Sequence, residues 1–348
     1  MRFSETTVKR SNNLQLMRFV AAIMVIFAHS YAISGSDLGS DFINRHTNGI
    51  ISIGGISVTL FFLCSGYLIS KSVFRTDKFV NYIKARLIRL LPPLWFVVLF
   101  SVFLGAFITS LSFKEYFGNI STFKYLLNGI LLPIHDLPGV FETNKYGTTV
   151  NGALWTLPVE FACYVACFIF YKLKLLDKKR FFYTIPIVVL VLIFEKYLPG
   201  ILGSMVRPCV FFYIGMLYYV YREYIELNIK IVPILFCLLI AAYFVPILIK
   251  PAMILLWPYI LFTLWFAIPQ CSDNIGKIGD VSYGLYLWGF VVQQFLSHIF
   301  GGKMSQLLNF VLASIIAVAL AIITFLLTEK PFLKKEKMIT VVQNERHG

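Results

Sequence analysis

The chain has 348 residues, of which 58% are hydrophobic and only 14% are charged, and its mean hydropathy is +0.78. A water-soluble core of this size has no use for so much apolar surface, so the composition excludes a soluble globular protein and indicates an all-α polytopic membrane protein. The net charge of +14 raises a nucleic-acid partner as an alternative.

Ten apolar segments predict about ten transmembrane helices, because a helix needs roughly 20 apolar residues to cross a bilayer. We predict a single membrane domain over residues 1–348, with no appended soluble domain. The predicted spans, in chain order, are Leu14–Ile33, Ile50–Ser70, Pro93–Leu111, Leu154–Leu173, Phe181–Leu198, Arg207–Tyr221, Ile229–Ile249, Ala252–Ile268, Ser282–Phe300 and Leu307–Leu327.

The positive charge follows the predicted topology. If the N-terminus lies in the cytoplasm, 22 of the 31 Lys and Arg residues fall in the two termini and in the alternate loops that also face the cytoplasm. This is the positive-inside asymmetry, and it predicts that both termini are cytoplasmic in a multi-pass protein of the inner or plasma membrane. Most of the charge is therefore topological, which argues against nucleic-acid binding.

The first span contains two ionisable residues, Arg18 and His29. At about 100° per residue, their eleven-residue separation is three turns plus roughly 20°, so both lie on one face of the helix, roughly 16 Å apart along its axis. Arg18 could snorkel to the headgroups, with His29 at the outer interface. An arginine inside a membrane helix is costly unless it faces protein or water, so the shared face indicates a functional pair. Histidine suits a general base, and arginine suits a phosphate or a carboxylate.

A basic segment separates the second and third spans. Apolar residues recur at helical spacing from Phe79 to Leu90, with Lys84, Arg86 and Arg89 between them. The pattern predicts an amphipathic helix at the membrane surface, ended by Pro92-Pro93. Its cations either bind lipid headgroups or hold the phosphates of a nucleotide-containing donor.

The fourth span follows a long outer region, residues 112–151, and contains the acidic residue Glu160. Loops of this length are often functional. An intramembrane carboxylate should face the protein interior, either as part of a site or paired with a cation such as Arg18 or Arg207. His135, His298 and His347 have no metal-ligand spacing with any other residue, so we predict no metal site.

Six segments resemble, in order, the motifs of the acyltransferase-3 family of integral membrane O-acyltransferases, and together they cover nearly the whole chain. The first is the R-x10-H pair formed by Arg18 and His29. The others are GGISVTLFFLCSGYLIS (Gly54–Ser70), NYIKARLIRLLPPLW (Asn81–Trp95), NGALWTLPVEF (Asn151–Phe161), DVSYGLYLWGFVVQQ (Asp280–Gln294) and TEKPFLKK (Thr328–Lys335).

The resemblance implies a ten-span bundle that uses a cytoplasmic acyl-CoA, usually acetyl-CoA, to O-acylate a glycan at the outer face. The implied acceptor is a lipid-linked or surface polysaccharide such as an O-antigen, capsule or exopolysaccharide, with membrane lipids as surroundings and no indicated protein partner. We predict catalytic roles for His29, Arg18 and Glu160. The predicted donor-binding residues are Arg18, Lys84, Arg86 and Arg89, and the predicted acceptor-binding residues are Asn151, Trp155, Ser30 and Tyr31.

One alternative belongs to another class of protein. A transporter or flippase for a polar or anionic substrate could use Arg18, His29 and Glu160 as an ion and substrate track. Inverted repeats and paired broken helices would indicate that class, and the sequence shows neither.

Overall fold

A computed structural model describes residues 13–35, 39–76, 78–268 and 279–331. Helices dominate this part of the chain and no β-strand occurs in it, which confirms the helical class. Several of the predicted cytoplasmic cations lie outside the described residues, as does the end of the TEKPFLKK segment. Those cations are Arg2, Lys9, Arg10, Lys277, Lys334, Lys335, Lys337 and Arg346.

The described helices are numbered in chain order. They are α1 Leu14–Ile33, α2 Phe42–His46, α3 Ile53–Val73, α4 Phe79–Ile108, α5 Phe113–Gly118, α6 Ile120–Lys124, α7 Thr156–Lys172, α8 Lys178–Phe182, α9 Ile185–Phe194, α10 Gly200–Val220, α11 Val232–Tyr243, α12 Pro246–Phe266, α13 Ser282–Ile299 and α14 Gln306–Thr324. Short 3₁₀ segments form at Tyr125–Ile130, Glu195–Tyr197 and Ile229–Ile231, and a π-helical turn, Phe325–Glu329, follows α14.

Five helices within the described residues are long and apolar enough to cross a membrane. These are α1, α3, α4, α12, and α14 together with its π-helical turn. The membrane class predicted from composition therefore has a structural basis. The count of ten spans and the sides of the termini stay predictions.

The predicted end of the basic helix at Pro92-Pro93 is wrong. Helix α4 continues through both prolines to Ile108. A proline removes a backbone donor from a helix, and it is tolerated in membrane helices where neighbouring groups satisfy the backbone that it loosens. The carbonyls that lose their helical donor are those of Ile88 and Arg89, four residues before each proline. Next to them, the hydroxyl of Tyr283 donates to the carbonyl of Leu90 at 3.0 Å and ties this stretch of α4 to α13. The basic segment and the third span are thus one continuous helix.

The predicted boundary between the seventh and eighth spans is also wrong. The helix breaks at Phe244–Val245 rather than at Lys250-Pro251, and Pro251 lies inside α12. Val245 is extended, with φ −122° and ψ 96°, and Pro246 occupies the first position of α12. Proline disfavours a helical conformation in the residue before it and suits the first turn of the next helix. Because both prolines offer this signal, sequence alone did not select the right one.

The predicted fifth span, Phe181–Leu198, is divided. Helix α8 ends at Phe182, and α9 covers only the ten residues Ile185–Phe194 before a 3₁₀ turn. At about 1.5 Å per residue α9 is roughly 15 Å long, about half the thickness of a bilayer core. The apolar composition of this segment therefore gives a shorter helix than predicted.

The described residues pack into two compact units. The first comprises Met1–Val25, Ser40–Ile83 and Thr156–Asp273, and the second comprises Ile26–Gly39, Lys84–Trp155 and Asn274–Gly348. The single domain predicted from sequence stays a prediction.

The first unit is built on a close crossing of α3 and α10. A Cβ placed on Gly66 would lie 2.0 Å from the carbonyl oxygen of Phe212, and one on Gly215 would lie 2.2 Å from that of Leu63. Small residues let membrane helices approach to backbone contact, and this approach excludes any side chain at either glycine.

Replacing Gly66 with alanine should therefore force α3 and α10 apart. We expect a loss of at least about 1–3 kcal/mol of unfolding free energy, the usual cost of overpacking a core, measured as a lower thermal midpoint of the detergent-solubilised chain. Gly203→Ala is the matched control, because a Cβ there would lie no closer than 3.6 Å to its neighbours. A Gly66→Ala protein as stable as the Gly203→Ala protein would contradict the crossing.

The second unit is built around α13, which is buried along nearly its whole length. Its polar side chains bond inside the unit. The Gln293 amide donates to the side-chain oxygen of Asn309 at 3.0 Å, and Asn309 donates back to the Gln293 carbonyl at 3.1 Å. The Trp288 indole donates to Thr324 at 2.8 Å. These bonds join α13 to α14 and make α13 the scaffold for its neighbours.

Candidate active site

His29 lies in the last third of α1, within the second unit, and is half-buried. Its imidazole meets the ring of Phe290 edge-on, with centroids 5.2 Å apart and planes at 77°. In the part of the chain that the structure describes, no hydrogen bond forms to either ring nitrogen. The imidazole is therefore oriented by packing, and neither ring nitrogen is engaged by a described residue.

Helices α13 and α14 hold the backbone around His29. The Gln293 amide donates to the carbonyl of Ile26 at 2.8 Å, and the Gln306 amide donates to the hydroxyl of Ser30 at 2.7 Å. The Ser30 hydroxyl in turn donates to the carbonyl of Phe27 at 2.6 Å. Sequence analysis missed both glutamines. The adjacent amides of Gln293 and Gln294 in the ninth span, WGFVVQQ, were a signal for the first of them.

The long outer region reaches the same aromatic surroundings. Tyr146 meets the ring of Phe290 edge-on at 5.3 Å, so Phe290 contacts both Tyr146 and His29. Gln294 fixes this region, because its amide donates to the carbonyls of Gly147 and Thr149 at 3.1 and 2.6 Å. The second unit thus brings together His29, Phe290 and Tyr146, of which only His29 was predicted.

The start of the outer region is anchored separately. A capping box begins α5, in which Ser112 and Glu115 bond each other's backbone amides. The hydrogen bonds from Ser112 hold the pKa of Glu115 below its usual value. Tyr116 is buried and donates to the carbonyl of Val102 at 2.9 Å, and burial raises its pKa to about 12. Because burial favours the neutral hydroxyl, Tyr116 keeps this bond above the pH at which an exposed tyrosine ionises.

The predicted acceptor-binding residues differ in how deeply their side chains are buried. Asn151 is fully buried, and its amide donates to the carbonyl of Leu287 and accepts from the backbone of Ala153. Ser30 is also fully buried. Tyr31 and Trp155 are half-buried. The amide of Asn151 and the hydroxyl of Ser30 already have partners, which leaves Tyr31 and Trp155 as the more accessible members of the set.

Arg18 belongs to the first unit. Its side chain is half-buried, and the guanidinium carbon lies 5.7 Å from the centroid of the Phe61 ring. A cation over an aromatic face is stabilised by the ring quadrupole. Helix α1 is unbroken between Arg18 and His29, so the helical spacing predicted for the two residues holds.

Glu160, on α7 of the first unit, is bound by two hydroxyls rather than by a cation. One carboxylate oxygen accepts from Ser65 at 2.8 Å and from Tyr164 at 2.5 Å. Glu160 forms no ion pair with Arg18 or Arg207, both of which are described. The alternative in which Glu160 pairs with one of these two cations is therefore wrong. Ser65 and Tyr164 were not predicted.

The three cations predicted to hold a donor do not share one face of α4. At about 100° per residue, Arg86 and Arg89 are roughly 60° apart, whereas Lys84 is roughly 160° from Arg86. Arg89 forms an ion pair with Asp280 at 3.2 Å, in which the Arg89 side chain is 54% exposed. Sequence analysis named the segment that begins at Asp280 but not this contact.

Comparison with known families shows which family this chain belongs to. The family model described as an acyltransferase domain matches residues 11–326, which is most of the chain. The chain belongs to the acyltransferase-3 family. The family predicted from six short segments is therefore confirmed, and its match extends across both packing units.

A curated relative is similar over a shorter range. The protein named O-acetyl transferase from Shigella phage Sf6 is 35% identical over 156 residues, which are 45% of this chain and 44% of the relative. The chain thus spans less than half the length of that relative. No solved structure matches the chain.

The acyltransferase-3 segments bond to one another in this structure. Within the first unit, Ser65 of the second-span segment donates to Glu160 of the fourth-span segment. Within the second unit, Tyr283 bonds the carbonyl of Leu90 and Tyr286 bonds that of Ala153, at 3.0 and 2.9 Å. Segments far apart in sequence are therefore joined by side chains of their own motifs.

Proposed function

We propose that this protein is a membrane-bound O-acyltransferase that moves an acetyl group from cytoplasmic acetyl-CoA to a hydroxyl of a cell-envelope glycan. Membership of the acyltransferase-3 family supports acyl transfer, and the phage relative is named an O-acetyl transferase. The observation that carries the proposal is the imidazole of His29, which has no hydrogen-bond partner among the described residues and lies on the same unbroken helix as the intramembrane residue Arg18. The acceptor is a lipid-linked or surface polysaccharide, and the protein is multi-pass in the inner or plasma membrane with both termini in the cytoplasm.

His29 supplies the proton transfer. Its unprotonated nitrogen takes the proton of the glycan hydroxyl as that oxygen attacks the thioester carbonyl. The new C–O ester bond forms, the C–S bond breaks, and the departing CoA sulfur takes the proton from the imidazolium. An acyl-histidine relay would use the same nitrogen as the nucleophile. Phe290 orients the ring in either route.

The basic part of α4 holds the donor phosphates. Arg86 and Arg89 lie on neighbouring faces of the helix, and a guanidinium binds phosphate through parallel N–H donors. Arg89 already accommodates one carboxylate, that of Asp280, so its position suits an anionic partner. Arg18, on α1, guides the pantetheine arm or stabilises charge on it.

Removing Arg89 should weaken donor binding more than removing Lys84. We expect Arg89→Ala to raise the KM for acetyl-CoA by about 10-fold or more, because a hydrogen bond to a charged group is worth roughly 1.5–3 kcal/mol. Lys84→Ala is the matched control, since the two residues lie on different faces of the same helix and both are exposed. An equal rise in KM for both variants would show that only the overall charge of α4 matters.

The proposal is tested with radiolabelled acetyl-CoA, purified protein and a glycan lipid from the producing cell. Transfer of the label to the glycan supports the enzyme. Movement of the glycan lipid across a vesicle membrane without any label transfer would favour a flippase and overturn the proposal. Mass spectrometry of surface glycans from cells with and without this chain then identifies the acetylated sugar.

A further inference from the structure

The first unit contains a second group of charged residues, none of which is assigned to acetyl transfer. Glu195 in the 3₁₀ turn after α9, Arg207 on α10 and Lys250 on α12 line one cavity. Lys250 donates to Glu195 in an ion pair whose side chains are 35% and 15% exposed. With two cations and one carboxylate, the cavity has a net charge of +1.

Arg207 is the member of this group that lacks a close partner. It is half-buried, and its guanidinium forms no hydrogen bond or ion pair with any residue that the structure describes. Glu195 is near enough to act on it electrostatically but is engaged by Lys250. An arginine in an apolar helix requires acceptors for its five N–H donors. Because the guanidinium is also positively charged, an anion in this cavity would supply both the acceptors and the opposite charge.

The rest of the cavity wall is apolar. Its other lining residues include Ile51, Ile56, Val210, Phe211, Met253 and Ile254. Ile51 and Met253 also belong to a buried hydrophobic cluster that packs α11 against α12. The apolar wall is therefore part of a packed core. A free anion would gain nothing from such a wall, whereas a hydrocarbon chain would bury apolar surface against it.

We propose that this cavity, lined by Arg207, Lys250 and Glu195, binds the phosphate group of a membrane amphiphile. Two non-bridging phosphate oxygens receive the N–H donors of Arg207 and share the charge of Lys250, and the hydrocarbon chain lies along the apolar wall. A phosphodiester contributes a single negative charge, which matches the net charge of the group. The inference does not rest on the proposed acetyl transfer, because its test measures binding.

Four ligands separate the contribution of the phosphate group from that of the hydrocarbon chain. The detergent-solubilised full chain is titrated with dioctanoyl phosphatidylglycerol, dioctanoylglycerol, inorganic phosphate and octanoate, and binding is followed by thermal shift and by native mass spectrometry. We expect the phosphatidylglycerol alone to stabilise the protein. Equal stabilisation by dioctanoylglycerol or octanoate would overturn the role of phosphate, and equal stabilisation by inorganic phosphate would overturn the role of the apolar chain.

Two variants change the affinity in opposite directions. Arg207→Gln should weaken phosphatidylglycerol binding by ~10-fold or more, since it removes a charged hydrogen-bond donor, while Arg45→Gln, at an exposed position in the same unit, should leave it unchanged. Glu195→Gln removes the competing carboxylate and should tighten binding, a gain that misfolding cannot imitate. Unchanged affinity in Arg207→Gln, or weaker affinity in Glu195→Gln, would refute the site.

Discussion

Replacing His29 with alanine is expected to reduce acetyl transfer by at least about 100-fold, and by up to about 10,000-fold, which is the range that a positioned general base contributes. The imidazole meets Phe290 but bonds no described residue, so its removal leaves the local hydrogen bonds of Ser30, Gln293 and Gln306 in place. The measurement is the initial rate of label transfer from acetyl-CoA to the glycan lipid at saturating donor.

The matched control for this loss is His46→Ala. His46 is exposed at the end of α2, in the first unit, and stacks on Tyr243 with ring centroids 4.3 Å apart. It should retain full activity. Both proteins must show the same elution profile and thermal midpoint as the native chain. Full transfer by a folded His29→Ala protein would remove the proposed mechanism.

Replacing Arg18 with alanine is expected to lower kcat/KM for acetyl-CoA by about 10- to 100-fold. This is the consequence of losing hydrogen bonds to a charged group worth roughly 1.5–3 kcal/mol. The guanidinium already lies over the ring of Phe61, so the alanine variant also loses a cation–π contact, at roughly 0.5–2 kcal/mol of stability. The kinetic measurement therefore has to be made on protein shown to be folded.

Two further variants separate charge from shape at Arg18. Arg18→Lys keeps the positive charge but not the planar fork of donors, so it should recover part of the donor affinity. Arg45→Ala removes an exposed arginine from the same unit and should not change the kinetics. If Arg18→Ala changes the KM for the glycan and not for acetyl-CoA, Arg18 serves the acceptor and the donor assignment is wrong.

Local patterns accounted for much of the fold. The run of apolar residues from Leu14 to Ile33 predicted α1 with the bounds that the structure shows, because helix formation depends on neighbours three and four positions away. The segments around Ser65, Glu160 and Tyr283 identified the family before any contact between them was known, and the family match confirms that reading. The catalytic and binding roles given to single residues stay predictions.

Helix boundaries near proline were less predictable. Pro92 and Pro93 were expected to end a helix, yet α4 continues, and the carbonyl of Leu90 is bonded by Tyr283 from a segment nearly two hundred residues away. Pro246 and Pro251 offered the same local signal, and only Pro246 follows a break. A window of neighbouring residues therefore does not tell which proline ends a helix.

By itself, the sequence determined the membrane class, the family, and the placing of Arg18 and His29 on one helix, since composition, motif order and helical period are properties of the chain. Only the tertiary structure decided the surroundings of those residues. It set Phe290 against His29 and joined Tyr146 to that ring, gave Glu160 two hydroxyl partners instead of a cation, and left Arg207 beside an ion pair that excludes it. Such contacts join positions far apart in the chain, and they form only when helices pack.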